Sequence, residues 1–385
     1  MAPRPLRVLH CIYDDPRNPW VGGGGSMRVF EIYRRLAGRV DATVATGSFP
    51  GAHDEVMDGV RYVRLGAPSP YLRSRWSYAR LAEAALRRGE YDAAVYDFSV
   101  YTPVRVPRRM PVGLVVHMLH GPTARERWGR FPGFGVRRAE GALLRRSRWI
   151  STTSRWMEEQ LRPMVGTETR IVRIGSGVPD EFFRVERREA NHLLCYGRFD
   201  LFHKGLDTAL AAFQRVAERY PRVELCLAGR GKDEERIRQL ARELGVEWRT
   251  RVLAGVRREE VLELMGGALA LVMPSRLEGL PMVPAEAMAA GVPVVASAVG
   301  AVPEVIDPPH GGILVPADDA EATAAAILSL LDDPARRESL SRSARGSAGR
   351  FSWDRVADEH LGYLHDIAAA GGDRTGDKEL DEDRA

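Results

Sequence analysis

The chain has 385 residues, 44% of them hydrophobic and 28% charged, with a formal net charge of +4 at pH 7, which is apolar material enough for two domain cores. No run of about 18 apolar residues occurs, so no membrane-spanning helix is expected, and Met-Ala-Pro-Arg-Pro at residues 1–5 passes within a few residues into a strand pattern, so no signal peptide is expected. Cys11, Cys195 and Cys226 are scattered through apolar runs, an odd count without disulfide or metal spacing that points to buried thiols in a reducing cytoplasm.

Short apolar runs alternate with helical patterns throughout, which predicts α/β layers with parallel sheets. In chain order, strands are predicted at residues 8–12, 42–45, 93–96, 113–117 and 149–151, and helices at 27–37, 77–88, 136–146 and 155–161. Gly175 to Asp180 breaks the pattern, and the polar residues 186–191 read as a linker. A second series follows: strand 193–196, helix 206–219, strand 223–228, helix 232–244, strand 252–253, helix 259–265, strand 268–272 and strand 294–296. Residues 371–385 are polar and charged, and they are expected to be disordered.

Residues 275–288 read Ser-Arg-Leu-Glu-Gly-Leu-Pro-Met-Val-Pro-Ala-Glu-Ala-Met. An apolar run ends just before them, and Gly291-Val292-Pro293 stops the helix after them. The unit is strand, loop, helix, strand, so its loop lies at the carboxyl edge of a parallel sheet, where open α/β sheets bind ligands. Free N–H groups at a helix start favour anions, and Pro281 suits the first turn because its missing N–H costs nothing there. Glu278 and Glu286 can face one ligand from different sides.

This stretch resembles the Glu-x7-Glu motif of the retaining GT4 glycosyltransferases, and the flanking Pro-Ser, Glu-Gly-Leu-Pro and Glu-Ala-Met-Ala-Ala-Gly-Val-Pro-Val-Val make the resemblance specific. It implies an α/β protein of GT-B fold: two Rossmann-like domains with parallel sheets facing across a cleft. The domains expected are an acceptor-binding one at 1–187, a nucleotide-sugar-binding one at 188–352, and a closing helix at 353–370 that returns to the first. The implied activity is retaining, metal-independent transfer of a sugar from a nucleoside-diphosphate sugar, UDP-linked by preference, to an acceptor hydroxyl in glycan, glycolipid or natural-product synthesis. No cofactor beyond that co-substrate is implied.

Site residues follow from matching positions. Arg198 and Lys204 resemble the family's diphosphate-binding pair, a planar fork and a point charge that would stabilise the departing phosphate. Glu278 stands where relatives touch the donor hexose, and Glu286 where they touch the ribose diol, which suits an acceptor-only carboxylate. Gly279 and Leu280 would bring backbone near the phosphates, and Gly229 and Gly231 near the nucleotide. In the amino half, Gly23 and Gly24 belong to a four-glycine loop that permits close backbone approach. The loop does not read Gly-x-Gly-x-x-Gly, and Thr46-Gly47 stands where a dinucleotide site would have an acidic residue. His117 ends a strand near the reacting sugar in relatives, with His120 as the alternative. No metal ligand set is expected.

The acceptor is not legible: a sugar, a lipid-linked carrier and a small metabolite all fit. Residues 1–185 carry 30 Lys/Arg against 18 Asp/Glu, whereas 186–385 carry 26 against 34, so the amino half should attract anions in a salt-dependent way. Two aromatic–cationic segments, 71–80 and 125–131, suit peripheral contact with an anionic membrane at the inner face, or an acceptor pocket. Nucleic acid is not expected, because no basic module or aromatic repeat is present. Two other readings compete: a sugar-nucleotide epimerase of the same fold, and a non-catalytic membrane- or partner-binding module.

Overall fold

The structure is a computed structural model. It describes residues 4–382 except 22, 89, 100, 101, 103, 107–110 and 121–128, without the side chains of 130–132 and 372–382. The chain forms two compact units, residues 1–176 with 353–385, and residues 177–352.

The amino unit holds an eight-stranded sheet. Its strands are β1 (Leu6–Cys11), β2 (Val40–Gly47), β3 (Glu55–Met57), β4 (Val60–Leu65), β5 (Ala93–Asp97), β6 (Val112–Val116), β7 (Trp149–Thr152) and β8 (Arg170–Arg173). Their order is β3-β4-β2-β1-β5-β6-β7-β8, parallel except for the β3–β4 pair. The carboxyl unit holds a six-stranded parallel sheet of β9 (His192–Arg198), β10 (Glu224–Arg230), β11 (Thr250–Ala254), β12 (Ala268–Met273), β13 (Val294–Ser297) and β14 (Gly312–Val315), in the order β11-β10-β9-β12-β13-β14. Both sheets are doubly wound. The strand order reverses between β1 and β5 in one and between β9 and β12 in the other, and that is where such sheets place ligands.

The interior strands are mostly apolar because both of their faces are buried. Along β9 and β10, Leu193, Cys195, Leu225 and Leu227 join one core cluster, while Leu194, Cys226 and Ala228 join the other. The amino unit repeats this pattern, with Val8, Val95 and Val115 on one face and Leu9, Ala94 and Leu114 on the other. All three cysteines are buried and unpaired. Among the described residues, no helix is long and apolar enough to cross a membrane.

Several expectations are corrected. The unit boundary falls after residue 176 rather than 187. The Val178 N–H donates to the Phe351 carbonyl at 2.8 Å, Phe182 is fully buried in the carboxyl core, and Arg187 donates to the carbonyls of Met265, Gly266 and Ala268. The polar residues 186–191 are thus clamped to the second unit instead of linking the two. Helix Trp353–Glu382 continues past 370, so residues 371–382 are helical rather than irregular; extending an anchored helix costs far less than starting one. Helices Gly24–Arg35, Tyr71–Arg88 and Arg130–Arg146 start earlier than expected. The strands β3, β4, β8 and β14 were not anticipated.

Candidate active site

In the carboxyl unit, β9 delivers Arg198 to the sheet's carboxyl edge, where it is exposed. Asp200 does not pair with it. That carboxylate caps the short helix Leu201–Lys204, accepting the His203 N–H at 3.1 Å and approaching its Nδ1 at 2.8 Å. Although burial would raise it, the bonds from His203 hold the Asp200 carboxyl below its usual range.

The next residue, Gly205, is left-handed at φ +61°, and a Cβ there would lie 1.9 Å from the Pro274 carbonyl oxygen. Only glycine lets this turn press against the end of β12, and the contact carries Lys204 to the motif loop. There Lys204 Nζ donates to Glu278 Oε1 at 2.6 Å. Gly300 seats the same loop from the other side: its φ is +53°, and a Cβ would lie 1.8 Å from the Glu278 carbonyl oxygen. Arg276 completes the brace, forking onto Asp207 at 2.9 and 2.8 Å and donating to the Phe202 carbonyl at 2.8 Å.

Arg198 and Lys204 line one small pocket with Gly197, Phe199, Met273 and Ser275. The Ser275 side-chain oxygen is buried there without a hydrogen-bond partner among the described residues. Gly229 and Gly231 flank the pocket's strands. Any Cβ on them would lie 1.7 Å from the Gly197 carbonyl oxygen and 2.2 Å from that of Phe199, so close packing alone requires both glycines. Gly279 and Leu280 are half-buried in the loop, and Leu280 packs on the core. The helix proper is Met282–Ala289, with Pro281 as an extended cap at ψ 118° rather than in the first turn.

Glu286 lies one turn into that helix. Burial pushes its carboxyl up to about 7, with Arg258 pulling it down and Glu181 adding to the rise. Arg258 in turn donates to Glu181 at 3.0 Å, and Tyr196, bonded to Arg258, has its hydroxyl pKa raised by burial and by Glu286. The sequence offered no signal for Arg258, Glu181 or Tyr196 in this cluster.

In the amino unit, Gly23 is the extended cap and Gly24 the first residue of helix Gly24–Arg35, so the glycines form a helix start rather than a preceding loop. Asp14, at the end of β1, faces this turn: its Oδ2 lies 3.8 Å from where a Gly23 Cβ would be. Burial raises the Asp14 carboxyl, with Arg75 and His117 opposing and Asp97 adding. His117 Nε2 meets Asp97 Oδ1 at 2.8 Å, and the other Asp97 oxygen meets His10 Nε2 at 2.6 Å. His120 instead uses its backbone N–H, which donates to Glu140 at 2.9 Å. The structure pairs the His117 ring with a carboxylate and gives the His120 backbone a bond to Glu140. It adds Asp97, which the sequence shows only as the polar end of an apolar strand.

Segment 71–80 lies inside helix Tyr71–Arg88. Arg75 is buried over the rings of Tyr13 and Tyr71 at 4.2 and 4.9 Å, while Leu72 and Trp76 are 77% and 64% exposed. Of segment 125–131, residues 125–128 lie outside the described residues, as do the side chains of 130 and 131. Among the described residues, no group of three or more His, Cys, Asp or Glu side chains could hold a metal ion.

Known proteins are similar to this chain over most of its length. Two family models match in tandem, Glycosyltransferase Family 4 over residues 22–182 and Glycosyl transferases group 1 over residues 179–347. The chain is 28% identical to a glycogen synthase of Mycobacterium tuberculosis over 91% of this chain and 92% of that one. It is 34% identical to a phosphatidyl-myo-inositol mannosyltransferase of Mycolicibacterium smegmatis over 48% of this chain and 47% of that one. Among solved structures, the sucrose-phosphate synthase of Thermosynechococcus elongatus superposes with a TM-score of 0.76 at 22% identity, over 95% of this chain and 100% of that one. HepE of Anabaena, in complex with UDP and glucose, does so with a TM-score of 0.71 at 16% identity, over 94% and 100%.

Proposed function

The chain belongs to the GT4 glycosyltransferases and has their GT-B fold, and from that premise we propose that it moves a sugar from a nucleoside-diphosphate sugar to an acceptor hydroxyl with retention and without a metal ion. The observation that carries this reading is the convergence of Arg198 and Lys204 on one pocket at the strand-order reversal. Two cations at that edge suit a diphosphate. As the bond from the anomeric carbon to the phosphate oxygen breaks, they offset the charge left on that oxygen, the role a metal ion plays in other transferases. The acceptor oxygen bonds to the same face of the carbon, and its proton passes to the departing phosphate.

Glu278, paired with Lys204 in the free protein, turns to the donor hexose when the diphosphate takes over the lysine. Glu286 accepts the ribose diol. Gly279 and Leu280 bring the loop backbone to the phosphates, and Gly229 and Gly231 let the nucleotide approach β9 and β10. We assign the acceptor to the amino unit, with its positive balance, its Gly23–Gly24 helix start and His117. UDP is the nucleotide we favour, supported by the UDP complex of the structurally similar HepE. Exposed Leu72 and Trp76, with Arg80 stacked on the indole at 4.9 Å, suit peripheral contact with an anionic membrane.

Thermal-shift measurements with UDP, GDP, dTDP and ADP test the donor site, since a ligand of the native state raises the melting temperature by mass action. One nucleotide should shift it, and Arg198→Ala should remove the shift. Product NMR then reads the anomer. An inverted product, or transfer abolished by chelators, refutes the mechanism.

A further inference from the structure

We propose that Asp97 is a positioning residue that holds His117 as the Nε2–H tautomer, so that the His117 Nδ1 lone pair accepts a hydrogen bond from a substrate hydroxyl. The identity of that hydroxyl, on a sugar, rests on the transferase reading; the tautomer does not.

Asp97 sits at the carboxyl end of β5, beside the strand-order reversal of the amino sheet. Its side chain is 5% exposed, and that of His10 is 1% exposed. Against the upward push of burial, the bonds from His10 and His117 hold the Asp97 carboxyl far below the usual carboxylate range. It is therefore ionised, and an ionised carboxylate only accepts. Both imidazoles must present Nε2–H to it, His10 at 2.6 Å and His117 at 2.8 Å.

Behind His10 the chain of bonds continues inward. His10 Nδ1 lies 3.0 Å from the Tyr33 hydroxyl, which lies 3.3 Å from His360 Nε2 on the last helix. His360 Nδ1 is buried without a partner. If Tyr33 donates to His10 and accepts from His360, the orphan is a lone pair. If the direction were reversed, the orphan would be a buried N–H, the rarer and costlier case. The interior thus locks His10 as an Nε2–H donor. His117 alone reaches solvent, with 35% of its side chain exposed, and among the described residues its Nδ1 has no partner.

Among the described residues, the charged groups facing the pair are Asp14 from the end of β1, Arg75 from helix Tyr71–Arg88, and Arg28 from helix Gly24–Arg35, which also faces Glu359 on the last helix.

Asparagine at 97 breaks the arrangement selectively. It offers one acceptor and one donor group, so one histidine must surrender its Nε2–H. Reversing the buried chain would orphan an N–H at His360, whereas the exposed His117 ring can change tautomer freely.

The test is 15N NMR of the histidine rings at a pH where they are neutral, on the full chain, with steady-state kinetics alongside. Wild-type His117 should carry its proton on Nε2. Asp97→Asn should move it to Nδ1 and lower kcat roughly tenfold to a hundredfold, one well-placed hydrogen bond, with the donor KM nearly unchanged. Wild-type His117 protonated on Nδ1 overturns the proposal without any variant, and so does a folded Asp97→Asn with wild-type tautomer and kcat. If the tautomer is as expected but no nucleoside-diphosphate sugar is turned over, the transferase reading falls and the positioning of His117 stands.

Discussion

Replacing Glu286 by glutamine should make the protein more stable and a worse enzyme, and the gain should depend on pH. Burial raises this carboxyl from 4.5 to about 7 in the folded chain. An acid with a raised folded pKa binds its proton more tightly when folded, so stability is lost as pH rises from the unfolded value through the folded one and levels off above it. The shift of about 2.5 units corresponds to about 3 kcal/mol once the group is fully ionised, at about pH 8, and to under about 1 kcal/mol at about pH 5. Glutamine keeps the shape and never ionises. Urea denaturation of wild type and Glu286→Gln at the two pH values reads the difference directly. The variant should gain about 3 kcal/mol over wild type at the higher pH and little at the lower. It should also bind donor weakly, because an amide cannot accept from both ribose hydroxyls with its two heavy atoms. Equal gains at both pH values would refute the burial argument, and unchanged donor affinity would refute the ribose assignment.

The Lys204–Glu278 pair should show strong coupling in a double-alanine cycle. At 2.6 Å and an effective dielectric of about 20, its gross attraction is about 6 kcal/mol, most of it offset by desolvation, which leaves a coupling of about 1–3 kcal/mol in denaturation experiments. Additive effects would mean the pair is not formed in solution. Gly300→Ala drives a methyl into the Glu278 carbonyl at positive φ; a stability cost of roughly 1–3 kcal/mol and a matching loss of transfer are expected, and full activity would show that the loop is not tied to Gly300. Asp200→Ala should cost about 1 kcal/mol as a lost helix cap. Because the Asp200 carboxyl is held below its usual range, that contribution is present at neutral pH and vanishes as pH falls through the lowered value, so an equal cost measured at about pH 2 would contradict it.

The interior strands were legible because two-sided burial leaves nothing but apolar residues, as in Ala268–Met273. The edges were not. β8 reads Arg-Ile-Val-Arg, and β4, one strand in from the three-residue edge strand β3, carries two arginines; one of these, Arg64, is buried by pairing with Asp15 at 3.0 Å, a partner 49 positions away. Short, charged edge strands guard against aggregation and so resemble loops in sequence. The motif loop was readable from its local spacing. Its ion pair was not, since 74 positions separate Lys204 from Glu278. Asp97 escaped for the same reason: its meaning comes from two histidines on other strands. Polar residues 186–191 misled because a linker and a clamp share a composition, and only the carbonyls reached by Arg187 distinguish them.

The path of the backbone sets an order of events during translation. The carboxyl unit is one unbroken stretch whose first and last residues meet, Val178 pairing beside Ser352, so it can close as soon as it has left the ribosome. The amino unit cannot. Its core includes Trp353, Val356, Tyr363, Leu364 and Ile367 beside Val8, Ile32 and Val95, so residues made first wait for residues made some 350 positions later. Until then the part of that sheet face not covered by helix Gly24–Arg35 is bare apolar surface, a state open to aggregation. In this chain the second unit finishes first, and a message truncated between residues 352 and 367 leaves a complete carboxyl unit attached to an amino unit with an open core.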